Sequence, residues 1–147
     1  MPKCSEVMTR EPVCCEPGDS VIQVAMLMKT EDVGSIPVVD SRDERKLIGI
    51  VTDRDLVVNV LAGGMAVDRA TARDAMTANP ESCSENEDVN KAVALMAERQ
   101  VRRMPIVDEA GRLSGIIAQA DVATRVKRDE TTGELVEAIS EPGFVRK

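Results

Sequence analysis

The chain contains no histidine, no tryptophan and no tyrosine, and its single aromatic residue is Phe144. Without histidine, the usual zinc sites, histidine general bases and Ser-His or Cys-His nucleophile pairs are excluded. Without rings in the main body, a bound base cannot be stacked on an aromatic face, so any purine site has to sandwich it between aliphatic side chains. The four cysteines, Cys4, Cys14, Cys15 and Cys83, show no C-x-x-C spacing, and reduced thiols are the default where no secretion signal is present. No stretch approaches the roughly 20 apolar residues of a membrane helix, and residues 1–6 lack the apolar core of a signal peptide. A cytoplasmic location with no membrane partner is therefore expected. Basic charge is also scarce: 19 Lys and Arg stand against 26 Asp and Glu, a net charge of -7. That balance argues against a nucleic-acid partner, which needs a broad basic surface to displace counterions, while leaving small anions open.

What is present points to a globular protein. With 43% hydrophobic and 31% charged residues over 147 positions, burial can offset chain entropy, and the length suits one domain or two small subdomains sharing a core. The sequence also repeats itself. Met8-Thr9 recurs 68 positions later as Met76-Thr77, and the same offset relates Pro12 to Pro80, Cys15 to Cys83, Leu27-Met28 to Leu95-Met96, Pro37 to Pro105 and Val39-Asp40 to Val107-Asp108. After a charged loop the offset becomes 66, pairing Gly49-Ile50 with Gly115-Ile116 and Asp55 with Asp121. An insertion confined to a polar loop is what a structural repeat should show.

Each copy reads as strand, helix, strand, strand, helix, an α/β (α+β) plan of two βαββα units. In the first, a strand around Val13 to Cys15 precedes a helix capped by Asp19 or Ser20, with Val21, Val24, Ala25 and Met28 on its apolar face. Ser35 to Asp40 and Lys46 to Val51 are the paired strands. Thr52 opens a closing helix with Leu56, Val57, Val60 and Leu61 inward, stopped by Gly63-Gly64. The second copy repeats this with Val89, Ala92, Val93 and Met96 on its helix, strands over Met104 to Val107 and Leu113 to Ala118, and a helix from Gln119. The expected division is 7–62 for repeat 1, 63–74 for a linker, 75–128 for repeat 2, and 129–147 for a short C-terminal helix and tail.

The run Met-Thr-x-x-Pro, then Ile-Pro-Val-Val-Asp, then Leu-Ile-Gly-Ile-Val-Thr-Asp-Arg-Asp resembles the cystathionine-beta-synthase (CBS) domain, and both copies carry much of it from Val7 to Val122. The resemblance implies a pseudo-two-fold pair of repeats, a Bateman module, often dimerising into a disc. It also implies a cleft between the repeats that takes AMP, ATP, S-adenosylmethionine or related ligands. With no catalytic domain attached, the chain is similar to stand-alone CBS-pair proteins, the hypoxic response proteins of actinobacteria among them.

The family's ligand signature, a Ser or Thr three positions before an Asp, falls on Thr52-Asp53-Arg54-Asp55. A carboxylate at Asp55 suits the two ribose hydroxyls, while Thr52, Arg54 and the free amides of the helix start suit a phosphate. The same spacing is also a helix capping box. In the second copy, Ala118-Gln119-Ala120-Asp121 keeps the carboxylate and loses the hydroxyl, which a pure capping role does not call for. Asp121 is thus the second ribose candidate, in the weaker site, although a first-turn acid would account for it as well. Arg102 and Arg103 are the further phosphate candidates, placed by the resemblance opposite the other repeat's turn. Val13, Val33, Ile36, Val101 and Met104 are the candidate adenine walls, although core packing is the commoner role for any one of them taken singly.

Three functions follow. The first is a non-catalytic regulatory module binding an adenosyl ligand, with the chain as a homodimer that signals to an unidentified protein partner. The second is a ligand-free dimerisation or interaction protein. The third is a thiol switch through the equivalent Cys15 and Cys83. No obligatory cofactor and no metal are expected.

Overall fold

The computed structural model describes residues 2–125. In chain order the elements are α1 (Cys4–Val7), β1 (Thr9–Arg10), α2 (Val21–Glu31), β2 (Ser35–Val39), β3 (Leu47–Thr52), α3 (Asp53–Asp55), a π-helix (Leu56–Leu61), α4 (Ala72–Ala75), β4 (Thr77–Ala78), β5 (Cys83–Ser84), α5 (Val89–Arg99), β6 (Arg103–Val107), β7 (Leu113–Ala118) and α6 (Gln119–Arg125). The expected helix and tail over 129–147 lie outside the described residues. Among the described residues no helix is long and apolar enough to cross a membrane.

Local chemistry accounts for the long elements. Ser20 caps α2 in a reciprocal box: its Oγ accepts from Gln23 N at 3.1 Å, and Gln23 Oε1 accepts from Ser20 N at 3.0 Å. Asp88 caps α5 by accepting from Asn90 N at 2.8 Å. Both helices end on a left-handed residue, Asp32 and Gln100, which turns the chain into β2 and β6. Each of these strands then pairs antiparallel with its successor, β2 with β3 and β6 with β7.

The chain packs as two compact units, 13–80 and 2–12 with 81–125. They are called the repeat-1 and repeat-2 units below. Each takes its outermost antiparallel strand from the lead-in of the other repeat. In the repeat-1 unit the sheet order is β2-β3-β4, with Thr77 facing Ile50. In the repeat-2 unit it is β1-β7-β6-β5, with Thr9 facing Ile116. The recurring Met-Thr pair therefore does the same job in each unit from a different place in the chain. Glycine permits the close approach. A Cβ on Gly115 would stand 2.7 Å from Met8 Cγ and 2.9 Å from the Thr9 carbonyl oxygen, and one on Gly49 would stand 2.5 Å from Met76 Sδ.

The stretch expected as a linker contributes to packing. Ala70 and Ala72 are buried, Val21 N donates to Ala70 O at 3.0 Å, and Ala72 N donates to Asp19 O at 2.8 Å. Val21, Val24 and Met28 are buried as expected, but Ala25 is exposed. Val57 and Leu61 are exposed too, whereas Val60 is buried. The π-helix explains this pair. Its i→i+5 bonds, Ala62 N to Val57 O at 2.8 Å and Met65 N to Val60 O at 3.0 Å, widen the turn and rotate 57 and 61 away from the stripe that an α-helix would present. In the repeat-2 unit all four expected helix positions, Val89, Ala92, Val93 and Met96, are buried.

Three thiols belong to the cores, Cys15 in the repeat-1 unit and Cys4 and Cys83 in the repeat-2 unit. Burial, followed by nearby acidic groups, pushes Cys4 and Cys15 up to about 12 and Cys83 up to about 11. At neutral pH they are protonated, which removes the thiolate a switch through Cys15 and Cys83 would need.

Two outcomes are expected. Gly115→Ala should lower stability by about 1–3 kcal/mol through overpacking against β1, read as a lower urea midpoint at unchanged slope; an unchanged midpoint would contradict the strand placement. The native state holds its core thiol protons above pH 9, where unfolded thiols lose theirs, so stability should fall as pH rises from about 9 toward 11. Cys15→Ala with Cys83→Ala should flatten that decline, and equal slopes in parent and variant would show the thiols to be uninvolved.

Candidate functional site

The last strand of each repeat delivers a carboxylate to the start of a helix. In the repeat-1 unit, Thr52 ends β3 in extended geometry and caps α3. Its Oγ1 accepts from Asp55 N at 3.0 Å, while Asp55 Oδ2 accepts from Thr52 N at 2.9 Å. The capping box is thus formed. It uses one carboxylate oxygen; Oδ1 of Asp55 has no hydrogen-bond partner among the described residues. Thr52 and Asp55 are half-buried, and Asp53 and Arg54 are exposed.

This turn is held against the entry to β2. Asp53 N donates to Gly34 O at 2.9 Å, and Ser35, buried at 5% exposure, lies opposite Thr52 in the sheet register. A side chain at 34 would crowd the turn, since a Cβ there would stand 3.0 Å from Asp53 Oδ2. Thr52, Arg54 and Asp55 are therefore brought together with Gly34, Ser35 and the half-buried Val33.

The repeat-2 unit has the same frame with different side chains. Gln119 N donates to Arg102 O at 3.1 Å, and Arg103 lies opposite Ala118. Arg102, exposed, and Arg103, half-buried, thus take the places of Gly34 and Ser35. Asp121 Oδ2 accepts from Ala118 N at 2.9 Å. This corrects the sequence argument: the reach-back bond requires only a backbone N–H, so loss of the hydroxyl at 118 does not speak against a capping role for Asp121. Its second oxygen is also engaged, accepting from Thr9 Oγ1 at 3.4 Å.

Of the apolar candidates, Val13 and Val33 sit at the margin of the repeat-1 core and Val101 at the margin of the repeat-2 core. Ile36 and Met104 are interior, each 1% exposed, because β2 and β6 are covered on both faces. Thr9 and Gly34 were missed as site neighbours. The signal for Thr9 was the recurrent Met-Thr pair, read only as a marker of the repeat. Gly34 stands where the other copy has Arg102.

A family model of the CBS domain matches residues 4–62 and 72–128. MK0525 of Methanopyrus kandleri is 38% identical over 117 residues, 80% of this chain and 59% of that protein, so the chain spans less than two thirds of that relative. YlbB of Bacillus subtilis is 38% identical over 144 residues, 96% of this chain and 93% of its own length. Hypoxic response protein 1 of Mycobacterium tuberculosis is 30% identical over 142 residues, 97% of this chain and 96% of that one. A crystal structure of Hypoxic Response Protein I with two coordinated zinc ions aligns at a TM-score of 0.73 and 31% identity, over 82% of this chain and 96% of that one. Among the described residues of this chain no group of three or more His, Cys, Asp or Glu side chains stands together. The structure of CBSX2 in complex with AMP aligns at a TM-score of 0.73 and 25% identity, over 87% of this chain and 100% of that one. Two family matches, laid on two units of the same strand and helix order with equivalent capped turns, place this chain in the CBS-domain family.

Proposed function

We propose that the chain is a non-catalytic regulatory module that binds an adenine nucleotide or adenosyl ligand, of the AMP, ATP or S-adenosylmethionine class, at the turn Thr52–Asp55. The observation carrying this reading is the division of labour within the Asp55 carboxylate. Oδ2 holds the turn, and Oδ1 is left to accept from a ribose hydroxyl, a charge-assisted bond. Thr52 Oγ1 accepts from Asp55 N and keeps its own proton to donate to a phosphate. Arg54 is exposed on the same turn. Asp121, with both oxygens engaged, makes the weaker ribose site. Within the repeat-2 unit Arg102 and Arg103 are the proposed phosphate residues, with Val101 and Met104 as its proposed base contacts; within the repeat-1 unit the proposed base contacts are Val13, Val33 and Ile36. The AMP complex of CBSX2, at 25% identity, supports the ligand class. Absence of histidine and protonated core thiols support a role without catalysis. The same reading makes the chain a cytoplasmic homodimer that passes ligand occupancy to a protein partner.

Asp55→Asn is the informative variant, because the amide oxygen can still accept from Thr52 N while the charge is lost. It should weaken AMP binding by about ten- to a hundred-fold, or about 1.4–2.8 kcal/mol, by calorimetry, with the thermal midpoint preserved. Equal affinity would reduce the carboxylate to a helix-end device. Arg103→Ala should change the preference between AMP and ATP, and an unchanged preference removes Arg103 from the site. Since the chain lacks Trp and Tyr, a strong band near 260 nm in purified protein would report a carried nucleotide directly.

A further inference from the structure

Cys4, Cys15 and Cys83 are buried, whereas Cys14 is half-buried. The Cys14 sulfur accepts from Arg45 Nη1 at 3.5 Å. Arg45 Nη2, the other arm of the same planar fork, is buried and has no hydrogen-bond partner among the described residues. A buried donor left unpaired costs the loss of its hydration, and the cost is larger on a charged group. The nearby Arg42 shows what a guanidinium finds in this acidic chain: Glu16 Oε1 at 2.8 Å and Asp19 Oδ2 at 3.2 Å. Arg45 makes no ion pair among the described residues.

The repeat supplies an internal control. Cys15 matches Cys83 at the 68-residue offset, so Cys14 falls on Ser82. Lys46 O accepts from Asp40 N and Arg112 O from Asp108 N, each at 2.9 Å, which sets Arg45 against Gly111. Both are left-handed, with φ of 56° and 81°, a region that glycine enters without the Cβ clash that an arginine meets. Repeat 2 thus completes the same loop with Ser82 and Gly111, and repeat 1 keeps an arginine where the backbone favours glycine. What Cys14 and Arg45 add is chemistry: a nucleophilic sulfur, and hydrogen-bonded to it a cationic fork with a spare arm.

We propose that Cys14 is a site of reversible oxidation by hydroperoxides, and that Arg45 holds the sulfenate formed there. The sulfur electron pair attacks the terminal peroxide oxygen, the O–O bond breaks and an S–O bond forms. Sulfur is oxidised by two electrons and the peroxide is reduced, so that Cys14–SH and ROOH give Cys14–SO⁻, ROH and a proton. Two equivalents of a small thiol return the sulfenate to the thiol, leaving as their disulfide with one water. An oxygen on Sγ is an anionic acceptor beside the fork, and it gives the unpaired Nη2 the charge-assisted bond that this nitrogen lacks. A single oxygen is also the smallest addition, which suits a nitrogen closed to solvent. This site shares no residue with the ligand turn Thr52–Asp55.

The test treats the full reduced chain with equimolar hydrogen peroxide at neutral pH, in excess dimedone-type diketone to trap sulfenate, and places the label by fragmentation mass spectrometry. Wild type is expected to carry the label on Cys14 and not on Cys4, Cys15 or Cys83, and Cys14→Ser to carry none. Arg45→Gly, the residue type that repeat 2 uses, is expected to keep or raise the thermal midpoint and to slow labelling by about ten-fold or more. Arg45→Lys, which keeps the charge and loses the fork, is also expected to label more slowly than wild type. An unlabelled wild type, a label on Cys15 in place of Cys14, or an Arg45→Gly rate equal to wild type overturns the assignment. Should Arg45→Gly lose its thermal transition, the Arg45→Lys rate decides in its place, and equality with wild type overturns the assignment equally.

Discussion

A carboxylate three residues into a helix, accepting a hydrogen bond from the amide that opens that helix, is the interaction on which both halves of the molecule turn. Asp55 does this for Thr52 N and Asp121 for Ala118 N, each at 2.9 Å. The bond sets the angle between the last strand and the closing helix of its repeat. In the repeat-1 unit it also brings Thr52 and Arg54 to the entry of β2 and aims the π-helix that follows. Losing it would leave the amide at the head of the turn without its acceptor, one of the orphan donors that every helix start must satisfy.

The capping role of Asp55 and the ligand role proposed for it are therefore two uses of one side chain. A carboxylate has more acceptor sites than a capping box consumes, so a turn stabilised in this way retains capacity for a ligand. The repeat-2 unit shows how that capacity is used up within the fold, because Thr9 Oγ1 reaches the second oxygen of Asp121. The two copies keep the same scaffold and differ in what is left over. One leaves Asp55 Oδ1 without a hydrogen-bond partner among the described residues, and the other engages both oxygens of Asp121.

Much of the architecture was legible because repetition makes each copy a check on the other. The strand pair, the capped helix and the closing helix could be read twice, and the two-residue change of offset fell in a charged loop. The exchange of lead-in strands was not legible. Met8-Thr9 and Met76-Thr77 are equivalent in sequence, and nothing local states which sheet a two-residue strand will join. The π-helix escaped for a related reason, since Leu56, Val57, Val60 and Leu61 have α-helical spacing, and only the i→i+5 bonds reveal that 57 and 61 face outward. At the site, the residue types were legible and their partners were not. Thr-x-x-Asp spells the observed cap and the proposed ligand turn in the same letters, and Thr9 is brought to Asp121 from 112 residues away.

The repeats also differ on their outer surfaces. Apolar side chains gather on the repeat-1 helices, and the turn with the spare carboxylate oxygen opens one of those helices. The duplicated units thus differ twice, in the acid and in the exposed face. A crystal structure of the chain soaked with AMP tests the central claim most directly. The account predicts a ribose hydroxyl within about 3 Å of Asp55 Oδ1, with the Thr52 N bond to Oδ2 intact. AMP bound away from the Thr52–Asp55 turn, or an Asp55 carboxylate untouched by the sugar, would contradict it.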